Sequence, residues 1–295
     1  VMLLDRRGSA RPCPADQYDA LATSTARLVI RRYSTSFGLA ARLLDEPVRT
    51  HVRNVYALVR VADEIVDAPR PGEGDEARRT LLDALETETL AAMTSGHSAN
   101  LVVHAFARTA VARGIEPALV TPFFASMRTD LDVLEHDQES LDAYVYGSAE
   151  VVGLMCLRVF LRDETDPQGA YAALHPGACR LGAAFQKLNF LRDLAADHEE
   201  LGRRYFPGID PAALTTAQRD AVLDDIEADL QVAAAAIEQL PPSSRRAVRV
   251  AHTLFAELAR RLRRTPAEQI RTERVRVPNT VKSRLVAREL LRGRS

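Results

Sequence analysis

The sequence predicts an all-α protein, and three observations carry the prediction. Apolar residues recur at helical spacing along most of the chain, strand-like alternation is scarce, and hairpin turn signals are absent. With 295 residues, 46% of them hydrophobic, the chain can bury a sizeable core. No Gly/Ser-rich or charged linker divides it, so residues 1–295 read as one domain of about eight to ten helices. Residues 1–15 are expected to form a loosely ordered N-terminal segment.

The elements follow in order. A first helix ends in the hydroxyl-rich Tyr33-Ser34-Thr35-Ser36-Phe37. Arg49–Asp67 carries Val52, Val55, Leu58, Val59, Val61, Ile65 and Val66 with no internal Gly or Pro. Asp75–Met93 repeats Leu81, Leu82, Leu85 and Leu90 between acids. Asn100 is placed to cap a helix that runs through Arg113 and that Gly114 ends. Pro117 to about His136 is the next, then Ser140–Phe160, softened by Gly147 and Gly153. Pro167–Glu200 is long, and His175-Pro176-Gly177 is expected to break it early. Thr215–Leu240 and Ser243–Arg264 are separated by Pro241-Pro242, and Asn279–Arg292 closes the series. Asp197–Asp210 and Thr265–Pro278 read as ordered loops.

Composition excludes several function classes. The 40 acidic and 39 basic residues leave a net charge of −1, which argues against nucleic-acid binding through bulk basic charge. Only Lys187 and Lys282 are lysines, so arginine supplies nearly all the positive charge. Cys13, Cys156 and Cys179 have neither zinc-ligand nor redox spacing, so a reducing, cytoplasmic setting is expected. Val1–Ala10 does not read as a signal peptide, since Asp5, Arg6 and Arg7 interrupt it. The longest apolar run is seven residues, Val151–Leu157, so no bilayer-spanning segment is expected, and any lipid work falls to the soluble phase or a membrane surface. No nucleotide-binding glycine loop is present.

Two carboxylate pairs carry the chemistry. Asp63 and Asp67 sit four residues apart, as do Asp193 and Asp197. On a helix each pair shares a face, ~6 Å apart along the axis. Asp220/Asp224 and Asp225/Asp229 repeat the interval, but their dense charge reads as a solvated face. The first two pairs instead lie in helices with apolar flanks, Ala57–Val59 and Ile65-Val66 in one, Leu188, Phe190-Leu191 and Leu194 in the other. At ~100° per residue, Tyr56, Arg60, Asp63 and Asp67 form one stripe and Gln186, Asn189, Asp193 and Asp197 another. Two such stripes facing an internal cavity repel unless cations join them, and Mg²⁺ suits carboxylates and phosphates. A surface carboxylate stripe is the alternative for either pair alone.

The other polar signals are open to two readings each. Arg203 and Arg204, in Gly202–Pro207, can reach a diphosphate or complement a helix C-terminus. Arg192 can do the same or face solvent. The hydroxyls after Tyr33 can bind phosphate or end a helix. The small residues in Tyr144–Gly153 can leave room for a long apolar ligand or allow close helix packing. His51, His97, His136 and His198 read as surface residues. Arg260–Arg264 reads as a solvated helix end, with an anionic membrane surface as its competitor.

These residues resemble the squalene/phytoene synthase family, the head-to-head prenyl transferases, from about Tyr33 to Val277. The first family signature resembles Tyr56–Asp67 and the second Gly182–Asp197, followed by Gly202–Pro207. Tyr144–Gly153 resembles the family's small-residue helix, Met127–Asp130 a further acidic position lining the cavity, and Ser34 and Ser36 its hydroxyl cluster. Two departures stand out: Glu64 where the family often has Asp, and Ala267–Ile270 where it can carry a tyrosine.

The resemblance implies an isoprenoid synthase type helical bundle around a central cavity. It implies catalysis by Asp63, Asp67, Asp193, Asp197 and Tyr56. Mg²⁺, with Mn²⁺ as the alternative, would be held by Asp63, Asp67, Asn189, Asp193 and Asp197. Ser34, Ser36, Arg60, Gln186, Asn189, Arg192 and Arg203 would bind substrate diphosphate. Apolar walls such as Phe37, Val151, Leu154 and Phe185 would exclude water, with core packing as the alternative for each. The expected reaction joins two prenyl diphosphates through a cyclopropyl diphosphate, with two geranylgeranyl diphosphates giving phytoene and no NADPH required. The lack of a C-terminal anchor fits a eukaryotic-type squalene synthase poorly. A farnesyl-using squalene or dehydrosqualene synthase, a terpene synthase cyclising one diphosphate, and a non-catalytic binding protein remain alternatives. Peripheral membrane contact for product release is a further expectation; oligomeric state is not encoded legibly.

Overall fold

The computed structural model describes residues 13–34, 36–68 and 70–292. Most of the expected N-terminal segment, residues 1–12, lies outside them, and Pro14 already begins a helix. The described residues form α1 (Pro14–Tyr33), α2 (Ser36–Ala41), α3 (Val48–Asp67), α4 (Asp75–Ser95), α5 (Leu101–Arg113), α6 (Pro117–Asp132) and α7 (Gln138–Val145). A π-helical turn, Tyr146–Glu150, joins α7 to α8 (Val151–Leu161). Then come α9 (Pro167–Leu201), α10 (Thr216–Ile237), α11 (Pro242–Arg264), α12 (Ala267–Ile270) and α13 (Asn279–Arg292). The count exceeds the expectation because α2 and α12 are short turns in stretches read as cap and loop, and because the π-turn divides the helix expected over Ser140–Phe160 into α7 and α8. There is no strand among the described residues, only an isolated bridge between Glu135 and Arg204.

Local chemistry sets the helix ends. The Asn100 side chain accepts from the Val102 and Val103 amides at 3.1 and 3.4 Å, and Gly114 turns left-handed at φ 72° to stop α5. Thr215 and Gln218 form a reciprocal capping box at the start of α10. Two expectations need correction here. Pro176 does not break α9, which runs unbroken from Asp166, its capping residue, to Gly202. The helix costs itself one hydrogen bond at Pro176, and its contacts with α8 and α10 on both sides outweigh that loss. The acids of α10 form a solvated face only in part: Asp224 and Asp225 are exposed as expected, and Asp229 is not. Asp229 is buried and accepts from Lys187 Nζ at 2.9 Å, Asp225 accepts from the same ammonium at 2.5 Å, and Arg263 reaches Asp224 at 2.7 Å.

Two cores flank the centre. One is built from α1, α3, α4, α5, α6 and α8 around Phe106, Phe123, Phe124 and Leu58. The other is built from α7, α9, α10, α11 and α12 around Leu188, Leu191, Leu223 and Ile226. His136 belongs with the second rather than at the surface: it is buried, its ring 6.1 Å from that of Tyr205. His51 is half-buried, its Nδ1 2.9 Å from the Thr109 hydroxyl, and burial pushes its pKa down to about 4.

The continuous helical stretch Gln138–Leu161 bears on the expectation of no bilayer-spanning segment. By length and apolar composition it is sufficient to cross a membrane, although more than half of that window is buried within the fold. Its small residues serve both readings: Ser148, Ala149 and Gly153 line the central cavity, and others allow close packing. A Cβ on Gly147 would meet Pro122 O at 2.3 Å, and one on Gly182 of α9 would meet Ala149 O at 2.7 Å. The π-turn is therefore clamped between α6 and α9. Its geometry leaves the Tyr144 carbonyl to the Ser126 hydroxyl, which donates to it at 3.2 Å.

Candidate active site

Helices α2, α3, α8, α9, α10 and α11 and the π-turn enclose a cavity of about 630 Å³. Its two ends differ. The last turns of α3 and α9 bring Asp63, Asp67, Asp193 and Asp197 to one end. The other is apolar, with Val52, Leu157, Phe160, Leu174, Ile237 and Leu240. The expected stripes thus face one cavity: Tyr56, Arg60, Asp63 and Asp67 from α3, and Gln186, Asn189, Asp193 and Asp197 from α9. Ser34, Arg192 and Arg203 join them. Ser36 opens α2, and its side chain lies outside the described ones. Phe37 and Phe185 line the wall as expected, but Val151 and Leu154 do not; both are fully buried in the first core.

Each carboxylate except Asp197 already holds a guanidinium. Arg60 pairs with Asp63 and with Glu64, and lies 4.5 Å from the centre of the Tyr33 ring. Glu64 in place of Asp thus serves as an arginine partner. Arg192 Nε donates to Asp193 at 2.9 Å, and Arg274 reaches the same carboxylate at 2.6 Å. Arg203 is buried, donating to Asp67 Oδ1 at 2.7 Å and lying 3.4 Å from Asp130 Oδ1. Asp130 also accepts from the Tyr144 hydroxyl at 2.8 Å, so the acidic position expected at Met127–Asp130 supports the site from behind.

The electrostatics shows that the two stripes sense one another. Burial and then the Asp67 charge push Asp63 up to about 7. Burial, then Asp193, then Asp67 on the opposite wall, push Asp197 up to about 7. Asp130 rises to about 7 chiefly through burial, with Arg203 opposing. Buried like charges at this spacing call for cations. Among the described residues no three His, Cys, Asp or Glu side chains lie close enough to hold an ion unaided. The donors available are all oxygens: four carboxylates and the amide oxygen of Asn189, which makes no side-chain hydrogen bond among the described residues. That set suits a hard divalent ion that keeps part of its shell for water or phosphate.

Four contributors had not been singled out. Arg274 lies in Glu273-Arg274-Val275-Arg276-Val277, where Val275 and Val277 pack on the second core. Alternation in this extended stretch turns Arg274 towards the cavity, so a period-two pattern was the available signal. Tyr205 stacks on Phe190 at 3.8 Å and lines the cavity beside Arg203. Tyr144 and Ser148 line it from α7 and the π-turn.

Comparison with known proteins agrees with this geometry. Residues 30–281 match the squalene/phytoene synthase family. A 15-cis-phytoene synthase of Paracoccus sp. is 35% identical over 198 residues, 64% of this chain and 60% of the relative's length. A phytoene synthase of Pseudescherichia vulneris is 29% identical over 247 residues, 76% of this chain and 77% of the relative. A dehydrosqualene synthase crystal structure with bound ligand superposes at TM-score 0.80 with 22% identity, covering 96% of this chain and 99% of that one. With the fold matched end to end and the motif-bearing region matched as a whole, the chain belongs to the squalene/phytoene synthase family.

Proposed function

We propose that this protein joins two allylic prenyl diphosphates head to head through a cyclopropyl diphosphate, and that its substrates are two geranylgeranyl diphosphates giving phytoene, a step of carotenoid formation. One observation carries the reading: a single cavity whose charged end matches a diphosphate and whose remainder matches an isoprenoid tail.

Arg60, Arg192, Arg203 and Arg274 are the chain's diphosphate ligands. Each now rests on a carboxylate and exchanges it for phosphate oxygens when substrate arrives. Ser34, Gln186 and Asn189 add neutral polar contacts from the same wall. Asp63, Asp67, Asn189, Asp193 and Asp197 are the residues that would hold Mg²⁺. When bound, Mg²⁺ supplies the Lewis-acid charge neutralisation that a departing diphosphate needs. Tyr56, stacked on Phe37 with ring centres 5.6 Å apart, carries a neutral phenol, whose pKa burial raises further above its ordinary value. Its hydroxyl and ring then face the allylic cation from beside the ionising end. Phe37, Phe185, Leu157 and Phe160 line the rest and keep bulk water from the cation.

Support for the longer substrate comes from depth and from small residues. Asp63 to Val52 spans ~16 Å along α3, and Asp193 to Gly177 spans ~24 Å along α9. Ala40, Ala41, Ala233, Ala236, Ala247 and Ala251 line the far wall, leaving width for tails. The test is incubation with C15 and C20 diphosphates, with and without Mg²⁺ and NADPH, with products identified by mass spectrometry. The expected product is a C40 hydrocarbon formed without NADPH and only with the divalent ion. A C30 product alone shows a farnesyl-coupling enzyme, a product with one substrate's carbons shows a cyclase, and inertness overturns the reading.

A further inference from the structure

Beside the reaction cavity lies a smaller pocket of about 160 Å³, lined by Tyr56, Arg60, Asp63, Tyr144, Ser148 and Gln186 on its polar side and by Phe123 and Met127 behind. Tyr56, Val59, Arg60, Asp63, Tyr144, Ser148 and Gln186 line both spaces, so together they form the partition between the side pocket and the charged end of the cavity. Ser148 is the group there without an assignment. Its Oγ is buried and has no hydrogen-bond partner in the protein. In an ordinary helix a serine hydroxyl can satisfy itself on the carbonyl one turn back. Here the π-turn shifts that register, and the Tyr144 carbonyl one turn back is taken by Ser126. Gly147, pressed against α6, and Gly182, pressed against the turn from α9, hold the turn in place. Gln186, across the partition, also makes no side-chain hydrogen bond among the described residues. Buried hydroxyl and amide groups of this kind take water as partner when the space admits it. The pocket is many times the ~10–15 Å³ that one water needs.

We infer that Ser148 and Gln186 hold a water molecule in this side pocket, and that this water takes the proton that ends the reaction. The inference rests on the proposed head-to-head coupling. After the second ionisation the coupled C40 chain is a cation. A C–H bond next to the cationic carbon breaks, its electron pair becomes the new C=C bond, and its proton goes to the held water. From there it passes to the released diphosphate, which is anionic and lies at the adjoining arginines. No oxidant or reductant enters. The Ser148 hydroxyl and Gln186 amide both bind the water, so its attack on carbon is restrained while a lone pair stays open to a proton. Ser148 is thus a positioning residue, acting through the water rather than on the substrate.

The experiment uses the full chain with geranylgeranyl diphosphate and Mg²⁺, comparing Ser148→Ala, Ser148→Val and Ser148→Thr with wild type. Thermal melting checks each variant for folding. The readout is the ratio of C40 hydrocarbon to all other coupled products, namely the cyclopropyl diphosphate and C40 alcohols. The ratio is expected to fall at least tenfold in the alanine and valine variants and to stay within twofold in the threonine variant, which keeps the hydroxyl. A purely structural role changes total turnover without changing this ratio. A wild-type ratio in Ser148→Ala and Ser148→Val overturns the inference. A wild-type enzyme that couples no diphosphates overturns the function it rests on, and that failure is recognised because it needs no variant.

Discussion

Arg203 offers the sharpest test of how the charged end is held together. Its guanidinium is 5% exposed and sits between Asp67 at 2.7 Å and Asp130 at 3.4 Å, with the Tyr205 hydroxyl at 3.3 Å. Replacing it by methionine keeps most of the volume and removes the charge. Two carboxylates, one of them fully enclosed, then lose their counter-ion. Breaking a buried pair in this way costs about 3–5 kcal/mol. At roughly 2–4 °C per kcal/mol the unfolding midpoint of Arg203→Met falls by ~6–20 °C. The loss is larger at pH 8 than at pH 6, because Asp130, already raised to about 7, can take a proton at the lower pH and shed its orphaned charge. The assay is circular dichroism melting of wild type, Arg203→Met and Arg203→Met/Asp130→Asn without divalent ions. The double variant recovers part of the loss, since it removes the second unpaired charge. A single variant melting within about 2 °C of wild type, well under the expected loss, would refute the argument.

Three further outcomes are expected. Asp63→Ala and Asp193→Ala reduce diphosphate release below about one hundredth of wild type, the loss of a preorganised charge-stabilising group, while melting near wild type; near-normal release from either contradicts the assignment of that carboxylate. Stability of the divalent-free wild type falls as pH rises from 5 to 8. Asp130 has a folded pKa of about 7 above an ordinary 3.8, so the folded state binds the extra proton and loses that advantage as pH passes through this window. Asp130→Asn flattens the profile and Mg²⁺ raises the midpoint more at pH 8 than at pH 5, whereas a midpoint that climbs with pH refutes this. Ala247→Phe, at the far end of the cavity, lowers turnover of the C20 substrate at least tenfold relative to the C15 one, read as the ratio of kcat/KM values, a difference of about 1.4 kcal/mol or more.

Much of this site was legible because its signals are local. Asp63 and Asp67 sit one turn apart within one helix, and so do Asp193 and Asp197; apolar flanks announce that both helices are enclosed. The same logic failed wherever the deciding partner lies far along the chain. Asp229 read as solvated because its sequence neighbours are charged, yet it is buried, and Lys187, about forty residues earlier, crosses from α9 to pair with it and with the exposed Asp225. Pro176 read as a break, a rule drawn from isolated helices, and packing between α8 and α10 overrode it. Val151 and Leu154 were open to cavity wall or to core packing. The π-turn ahead of them resets the register and sends them into the core instead. A single extra residue in a helical turn leaves no mark on hydrophobic periodicity, so sequence alone could not place Ser148 at the partition.

The four arginines explain how so acidic a site can fold before substrate or metal arrives. Six carboxylates, Asp63, Glu64, Asp67, Asp130, Asp193 and Asp197, converge with Arg60, Arg192, Arg203 and Arg274, so the pairing is complete but for Asp197. That leaves about two uncompensated negative charges at full ionisation, and burial first, with neighbouring carboxylates after it, holds the pKa values of Asp63, Asp130 and Asp197 up. A diphosphate entering alone would meet arginines already engaged by carboxylates. Divalent ions entering alone would meet carboxylates already engaged by arginines. Arriving together, each releases the partner that the other needs. The geometry therefore favours joint binding, and diphosphate affinity should rise steeply with divalent-ion concentration. Titration calorimetry with inorganic diphosphate checks this: a Kd unchanged by millimolar Mg²⁺, after correction for the ion pair formed in solution, would show that the arginines and carboxylates act independently.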